Sequence, residues 1–183
     1  MKIRYATMDD IPALLDLTRR ISAITRFKQF EYSPERLASN IAAVIKDKRG
    51  VYCFLVAEDA AGVAVGILLG CLERHVFSDE QLVATLMIYA VLPEKRMGGA
   101  GLRLLSAFRQ WAENRGAFEL NAGFSSGIDF NKTDRFMRKL GFQQTGANYS
   151  LMLGKSGQAS MDDSPKINTT LCHNSLQGNI HEQ

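Results

Sequence analysis

The hydrophobic positions of the chain change period repeatedly over its first 153 residues and then lose period altogether. Residues 3–6 read as a short strand, and Thr7 with Asp10 three positions later forms the pair that opens a helix through a capping box. Ile11, Leu14, Leu15 and Ile21 fall on one face of that helix, with Pro12 tolerated in its first turn. Between Arg19 and Tyr32 the chain turns basic and aromatic and the helical period fades. Ser33 followed by Pro34 predicts the cap and first position of a second helix, with Leu37, Ile41, Val44 and Ile45 as its buried stripe. Residues 51–58 and 63–73 are rich in β-forming types and joined by a turn containing Gly62, the pattern of an antiparallel hairpin. After a loop at residues 75–80, residues 82–92 read as a buried strand closed by Pro93.

The run Arg96-Met97-Gly98-Gly99-Ala100-Gly101 then leads into a helix whose apolar face is Leu104, Leu105, Phe108, Trp111 and Ala112, stopped at Arg115-Gly116. Residues 119–123 predict a strand. Asn131 with Asp134 predicts the cap of a short helix with Phe136, Met137 and Leu140 on its apolar side, ended by Gly141-Phe142. Residues 143–146 and 149–153 predict a final hairpin. The resulting order, β-α-α-β-β-β-α-β-α-β-β, describes one α/β domain with a mixed sheet over residues 1–153. Residues 154–183 carry almost no aliphatic clustering, so they are expected to be a polar tail, flexible or docked on a partner.

Composition narrows the function classes. The chain has 183 residues, 46% of them apolar, enough for a real core without staples. A net charge of +3 lacks the strong basic bias of a dedicated nucleic-acid binder, yet it accommodates an anionic ligand. No apolar run approaches the ~18 residues of a membrane span. The start carries Lys2, Arg4, Asp9 and Asp10 with no apolar stretch that reads as a secretory signal, so a cytoplasmic protein is expected. Three widely spaced cysteines (Cys53, Cys71 and Cys172) fit reduced thiols, and Cys53 and Cys71 read as small buried hydrophobes. His75, His173 and His181 form no metal-ligand spacing, so no metal is expected.

Strand, glycine-rich turn and helix start together make an anion site. The first helical N–H groups have no intrahelical partner, the macrodipole is positive there, and glycines let a phosphate approach. A dinucleotide fingerprint is excluded, because Leu104 stands where its third glycine belongs. Gly154-Lys155-Ser156 lacks both the first glycine of a Walker loop and a following apolar helix. What does fit is Val91-x-Pro93, Arg96, Gly99 and Gly101, which resembles the acyl-CoA-binding motif of the GCN5-related N-acetyltransferase (GNAT) family. The opening Ile3-Arg4-x-Ala6-Thr7-x-x-Asp10-Ile11 and the closing Arg138-Lys139-Leu140-Gly141-Phe142 are similar to that family's first strand and helix and to its last helix end. Residues 88–94, Ala107-Phe108-x-x-Trp111-Ala112 and residues 132–136 look most like small members carried by bacteriophages.

The resemblance implies a GNAT-like acyl-CoA N-acyltransferase fold that moves an acetyl group from acetyl-CoA to an amine by direct attack, without a metal. It implies a diphosphate on the amides of Met97, Gly98, Gly99, Ala100, Gly101 and Leu102, with Arg96 beside them. It also implies a pantetheine arm along the backbone of Tyr89, Ala90 and Val91 that reaches Asn131. Asn131 stands one residue closer to the Gly-Phe pair than the family's asparagine does. The family's general base falls at Met87, flanked by Leu86 and Ile88, and its general acid at Met137. Neither methionine can transfer a proton, a role usually contributing ~10²–10⁴-fold. Glu80 or His75 as base and Tyr89 or Tyr149 as acid are the candidate replacements. Arg26, Phe27, Lys28 and Phe30 fall on the family's acceptor-covering loop or form a solvated basic loop; Lys132, Arg135, Arg138 and Lys139 reach a 3′-phosphate or form a solvated helix face. The alternative is a non-catalytic member of the same fold, a homo-oligomer or a component of a larger assembly such as a phage virion, held through the tail.

Overall fold

A computed structural model describes residues 1–127 and 129–153. The tail, and with it the expectation of a docked or flexible segment, lies outside the described residues. The chain divides into a unit Met1–Leu151 and a second one from Met152 onward. The elements of the first unit run β1 (Lys2–Tyr5), α1 (Ile11–Ala23), α2 (Pro34–Lys46), β2 (Tyr52–Glu58), β3 (Ala64–Arg74), β4 (Leu82–Val91), α3 (Ala100–Asn114), β5 (Ala117–Ala122) and α4 (Phe130–Lys139). Short 3-10 turns occupy Met8–Asp10, Arg26–Gln29 and Pro93–Gly98. The five strands lie in sequence order, antiparallel from β1 to β4, with β4 and β5 parallel. This is the mixed α/β sheet that the sequence predicts.

Helices cover both faces. Phe54 and Val56 of β2 point to the side packed by Leu14, Leu17 and Ile41 of α1 and α2. Cys53, Leu55 and Ala57 point to the other, against Leu104, Leu105, Phe108 and Trp111 of α3 and Met137 of α4. Burial pushes the Cys53 thiol up to about 12, as suits a packing residue rather than a nucleophile. Arg4 of β1 clamps the start of α1: its guanidinium meets Asp10 and Glu58 at 2.7 and 2.5 Å. That pairing holds the Asp10 carboxyl at about 2, and the same carboxylate accepts the Thr7 N–H at 2.7 Å.

Beta-strand 4 does not alternate regularly. Its residue Leu86 pairs with Gly70 and Ile88 with Leu69, so Met87 is an extra residue, a bulge. The bulge inverts the parity of the strand. Ala84 and Leu86 face α3 below it, and Tyr89 and Val91 face α3 above it. A regular strand would turn Ile88 and Ala90 to that face instead.

Two expectations fail. Residues 143–153 form no strand, so the final hairpin is absent and the described sheet ends at β5. Gly141 N–H donates to the Arg138 carbonyl and Phe142 N–H to that of Met137, closing α4 with a Schellman motif. Beyond Phe142 the run Gln143-Gln144-Thr145-Gly146 offers no apolar face to a sheet. Helix α4 also starts earlier than predicted. Its cap is Asp129, whose side chain accepts the Lys132 N–H at 3.2 Å, and Asn131 lies inside the first turn.

Candidate functional site

Beta-strands 4 and 5 share only part of their length. Pairing runs from Leu82 with Ala117 to Leu86 with Ala122 and stops at the bulge. Among the described residues, 87–91 continue against β3 alone, leaving their other edge without a strand partner. Met87 and Ile88 are exposed there, 53% and 39%. Just past this open edge the chain makes the Pro93–Gly98 turn, and Gly99, at φ +75°, is the N-cap of α3. Only a residue free of the left-handed penalty sits comfortably at that angle.

The turn is tied down on three sides. Glu94 pairs with Arg20 of α1, Lys95 Nζ meets Asp59 at 2.9 Å, and Arg96 Nε donates to the Val91 carbonyl at 3.2 Å. Arg96 thus braces the end of β4. The first amide of α3 with a backbone acceptor is that of Arg103, which donates to Gly99 O at 3.1 Å. Among the described residues the amides of Gly99, Ala100, Gly101 and Leu102 have none. A Cβ at Gly99 would meet nothing within 4 Å, and one at Gly98 only the end of Met1 at 3.7 Å. An open edge of polar backbone therefore runs into a helix N-terminus whose first amides have no backbone acceptor and whose Gly98 and Gly99 leave the side-chain space beside them empty.

Two of the predicted cradle residues behave differently from expectation. Ala100 is fully buried, so its amide is closed to a ligand in this conformation. Gly101 is not bare for a ligand's sake: a Cβ there would lie 2.2 Å from the Tyr89 hydroxyl. The phenol fills that space, with its ring edge-on to Phe124 at 6.3 Å, and burial pushes its pKa up to about 12. Met97 and Leu102 are exposed, and Leu92 is buried in the core on the α1 and α2 face.

The Acetyltransferase (GNAT) family model matches residues 16–142. The chain belongs to this acetyltransferase family. No curated protein matches it in sequence. Solved GNAT-type structures share the fold. A putative acetyltransferase from Agrobacterium tumefaciens is 16% identical with a TM-score of 0.67, over 83% of this chain and 99% of that one. An aminoglycoside antibiotic 6'-N-acetyltransferase from Acinetobacter haemolyticus is 19% identical with a TM-score of 0.61, over 86% and 100%. AAC(6')-Iy, in complex with the bisubstrate analog CoA-S-monomethyl-acetylneamine, is 18% identical with a TM-score of 0.65, over 82% and 96%. At such identities the likeness carries the fold and nothing finer.

The GNAT frame gathers some of the sequence candidates and scatters others. Tyr89, Ala90 and Val91 lie on the open edge, and Arg96, Met97, Gly98, Gly99, Gly101 and Leu102 on the turn and helix start beyond it. Glu80 belongs to the loop before β4, at the opposite end of the strand from Tyr89, roughly 25–30 Å away at ~3.3 Å per residue. His75 shares that loop, its ring 5.7 Å from that of Phe77. Tyr149 is 94% exposed, and Asn131 is exposed on α4. Met137 is a core residue. The fold therefore assembles the open edge and the helix start and leaves Glu80 at the far end of β4; Tyr149 is exposed, next to Asn148, whose side-chain amide lies by Gly123 just past β5. Among the described residues no three His, Cys, Asp or Glu side chains gather as metal ligands, and no helix is long and apolar enough to cross a membrane.

What residue patterns missed is the link across the gap. The Arg26 N–H donates to the Ser126 carbonyl at 2.9 Å, joining the α1–α2 loop to the loop after β5. No local pattern announces that contact. The bulge did leave a sign: Gly70 stands inside an apolar β-run, where a glycine often marks an irregularity or a close approach.

Proposed function

We infer that the protein transfers an acetyl group from acetyl-CoA to an amine. The observation that carries this reading is the continuous path from the open edge at residues 87–91 to the free amides of Gly99, Gly101 and Leu102. Bound acetyl-CoA supplies the activated thioester. Gly99, Gly101 and Leu102 supply N–H donors, and the α3 dipole supplies positive potential, for its diphosphate, with Met97 and Gly98 at the rim. Residues 89–91 offer backbone groups to the amides of the pantetheine arm, as one strand does to another. From Val91 back to Met87 is about 13 Å along the strand, which leaves the thioester end near Met87 and Ile88.

A backbone N–H at the bulge would polarise the carbonyl there, an electrostatic contribution. Met87 and Ile88 provide no base. Their apolar surface instead favours the uncharged form of an acceptor amine, since desolvation lowers an amine's pKa. Tyr89 keeps its proton at neutral pH and is the one sequence-predicted acid on this edge. Of the acceptor, the aminoglycoside acetyltransferases that share the fold suggest small amines as a class. The reading of a phage-encoded subtype, or of a virion component, gains no support from the relatives.

Calorimetry with acetyl-CoA is the test. Micromolar binding is expected, weakened at least tenfold in Gly98→Asp, which puts a carboxylate before the helix start without backbone strain or clash. Absence of binding by the parent chain, or equal affinity in the variant, overturns the reading. A colorimetric assay of released CoA thiol with mass analysis of the acceptor then reads turnover.

A further inference from the structure

We propose that the acceptor carries a carboxylate close to its amine and that Arg26 binds it; this rests on the acetyl-transfer reading. Most cations among the described residues have a visible occupation. Arg4, Arg20, Arg49, Lys95, Arg109 and Arg138 hold carboxylates, and others donate to backbone carbonyls. Arg26 does neither. Its Nε is buried with no hydrogen-bond partner, and its side chain enters no ion pair among the described residues. It is nevertheless held firmly. Its backbone N–H is bonded to Ser126, its guanidinium carbon lies 5.5 Å from the centre of the Phe27 ring, and its Cβ and Cγ pack against Gly127. Gly127 is fixed by its backbone angle, φ +74°, and the Arg26 stem lies at ordinary packing distance from it, 3.4 Å from where a Cβ would stand. Nε is closed to solvent, but the side chain is only half-buried and its outer guanidinium nitrogens donate to no acceptor among the described residues, so they are the atoms that can meet an incoming carboxylate.

Position gives those nitrogens a meaning. The Arg26–Gln29 turn is bonded to the loop that leaves β5, four residues past Ala122, the last partner of β4. It therefore stands on the rim of the gap where β4 and β5 part, the end to which the thioester is assigned. Residues 24–30, 87–91 and 123–127, which frame this gap, contain Arg26 and Lys28 and no Asp or Glu. A polycationic acceptor meets only like charge or apolar surface there. An amine with a neighbouring carboxylate meets a guanidinium fork suited to it and, in Phe27, Met87 and Ile88, apolar surface for its body. The chemical class is an α-amino acid or a small peptide with a carboxylate near its amine.

The test uses the full chain with acetyl-CoA and matched acceptors: L-leucine, L-methionine and L-phenylalanine, each beside its carboxamide, with kanamycin as the polycation. Thiol release and product mass give kcat/KM, and calorimetry on the CoA-saturated chain compares N-acetyl-L-leucine with N-acetyl-L-leucinamide. The expected result is a preference for at least one free acid over its amide that falls about 30-fold in Arg26→Gln, recovers partly in Arg26→Lys, and leaves the amide rate unchanged. Acid-selective binding of the acetylated product should vanish with it, while acetyl-CoA affinity stays as in the parent chain. Kanamycin as the best acceptor, equal use of acids and amides, an equal loss for both in Arg26→Gln, or no acid-selective turnover or product binding overturns the proposal. Loss of acetyl-CoA binding in the parent chain instead removes the transferase reading itself, and this proposal with it.

Discussion

The two halves of β4 are both mostly apolar and have opposite fates. Below Met87 the strand is bonded on both sides, and Ala84 and Leu86 are sealed against α3. Above it the strand keeps one neighbour, exposes Ile88, and turns Tyr89 and Val91 to the face that regular alternation would have given to Ile88 and Ala90. Backbone groups inside a domain are almost always paired, so an unpaired edge that leads into an uncapped helix start is a place kept for something else. On the acetyl-transfer reading, stability resides in the lower half and chemistry in the upper one, and the bulge is the joint between them.

The sharpest way to break that division is to strike the joint. Gly70 lies opposite the bulge, and a Cβ there would sit 2.3 Å from two ring carbons of fully buried Phe108. Gly70→Val is expected to destabilise the fold by about 3 kcal/mol, the upper end of overpacking effects. A urea midpoint unchanged from the parent would show that the ring can move and that the bulge is not pinned by it.

Next in size is the upper half. Gly101→Ala should weaken acetyl-CoA binding about tenfold, because the new methyl must displace the Tyr89 hydroxyl across the helix start. Tyr89→Phe removes the atom in conflict, so the double variant should recover most of that loss, giving a coupling of ~1 kcal/mol. Additive losses would mean that the phenol and Gly101 do not compete for one space.

The architecture was legible in the sequence because each element carries its own local signal. The Ser33-Pro34 cap, the α3 stripe ending in Phe108 and Trp111, and the Gly141 stop all act within a few residues, and all appear where the pattern places them. The cradle was legible as a place but not in its detail. Gly99 and Gly101 look alike in a motif, yet one answers to a backbone angle and the other to a tyrosine twelve residues earlier. The missing hairpin shows the reverse failure. Tyr149, Leu151 and Leu153 alternate correctly, but a strand needs a partner, and Gln143-Gln144-Thr145-Gly146 does not make one. Arg26 was visible only as part of a basic loop, since its meaning depends on Ser126 and Gly127, a hundred residues away.

A smaller effect separates a base-free upper half from one with a concealed base. With no carboxylate at residues 87–91, log kcat/KM should rise with pH at a slope near 1 until the acceptor's own amine pKa is reached. Tyr89, pushed up to about 12, should add no falling limb below pH ~11. A plateau at a pH that stays fixed when the acceptor is changed would reveal a protein base.

The smallest expected effect is none at all, and it closes the comparison from the other end of β4. Glu80 is the acidic replacement that the sequence offers for the absent base, and it lies in the loop that feeds the fully paired half. A proton acceptor must come within hydrogen-bond reach of the amine, directly or through one water, and most of the strand's length intervenes. Glu80→Gln should therefore leave kcat/KM and its pH profile within twofold of the parent chain, because neither the open edge nor the α3 start depends on that side chain. A loss of ~10²-fold, the usual mark of a removed general base, would place the reacting atoms at the lower end of β4 and overturn the assignment of chemistry to the upper half.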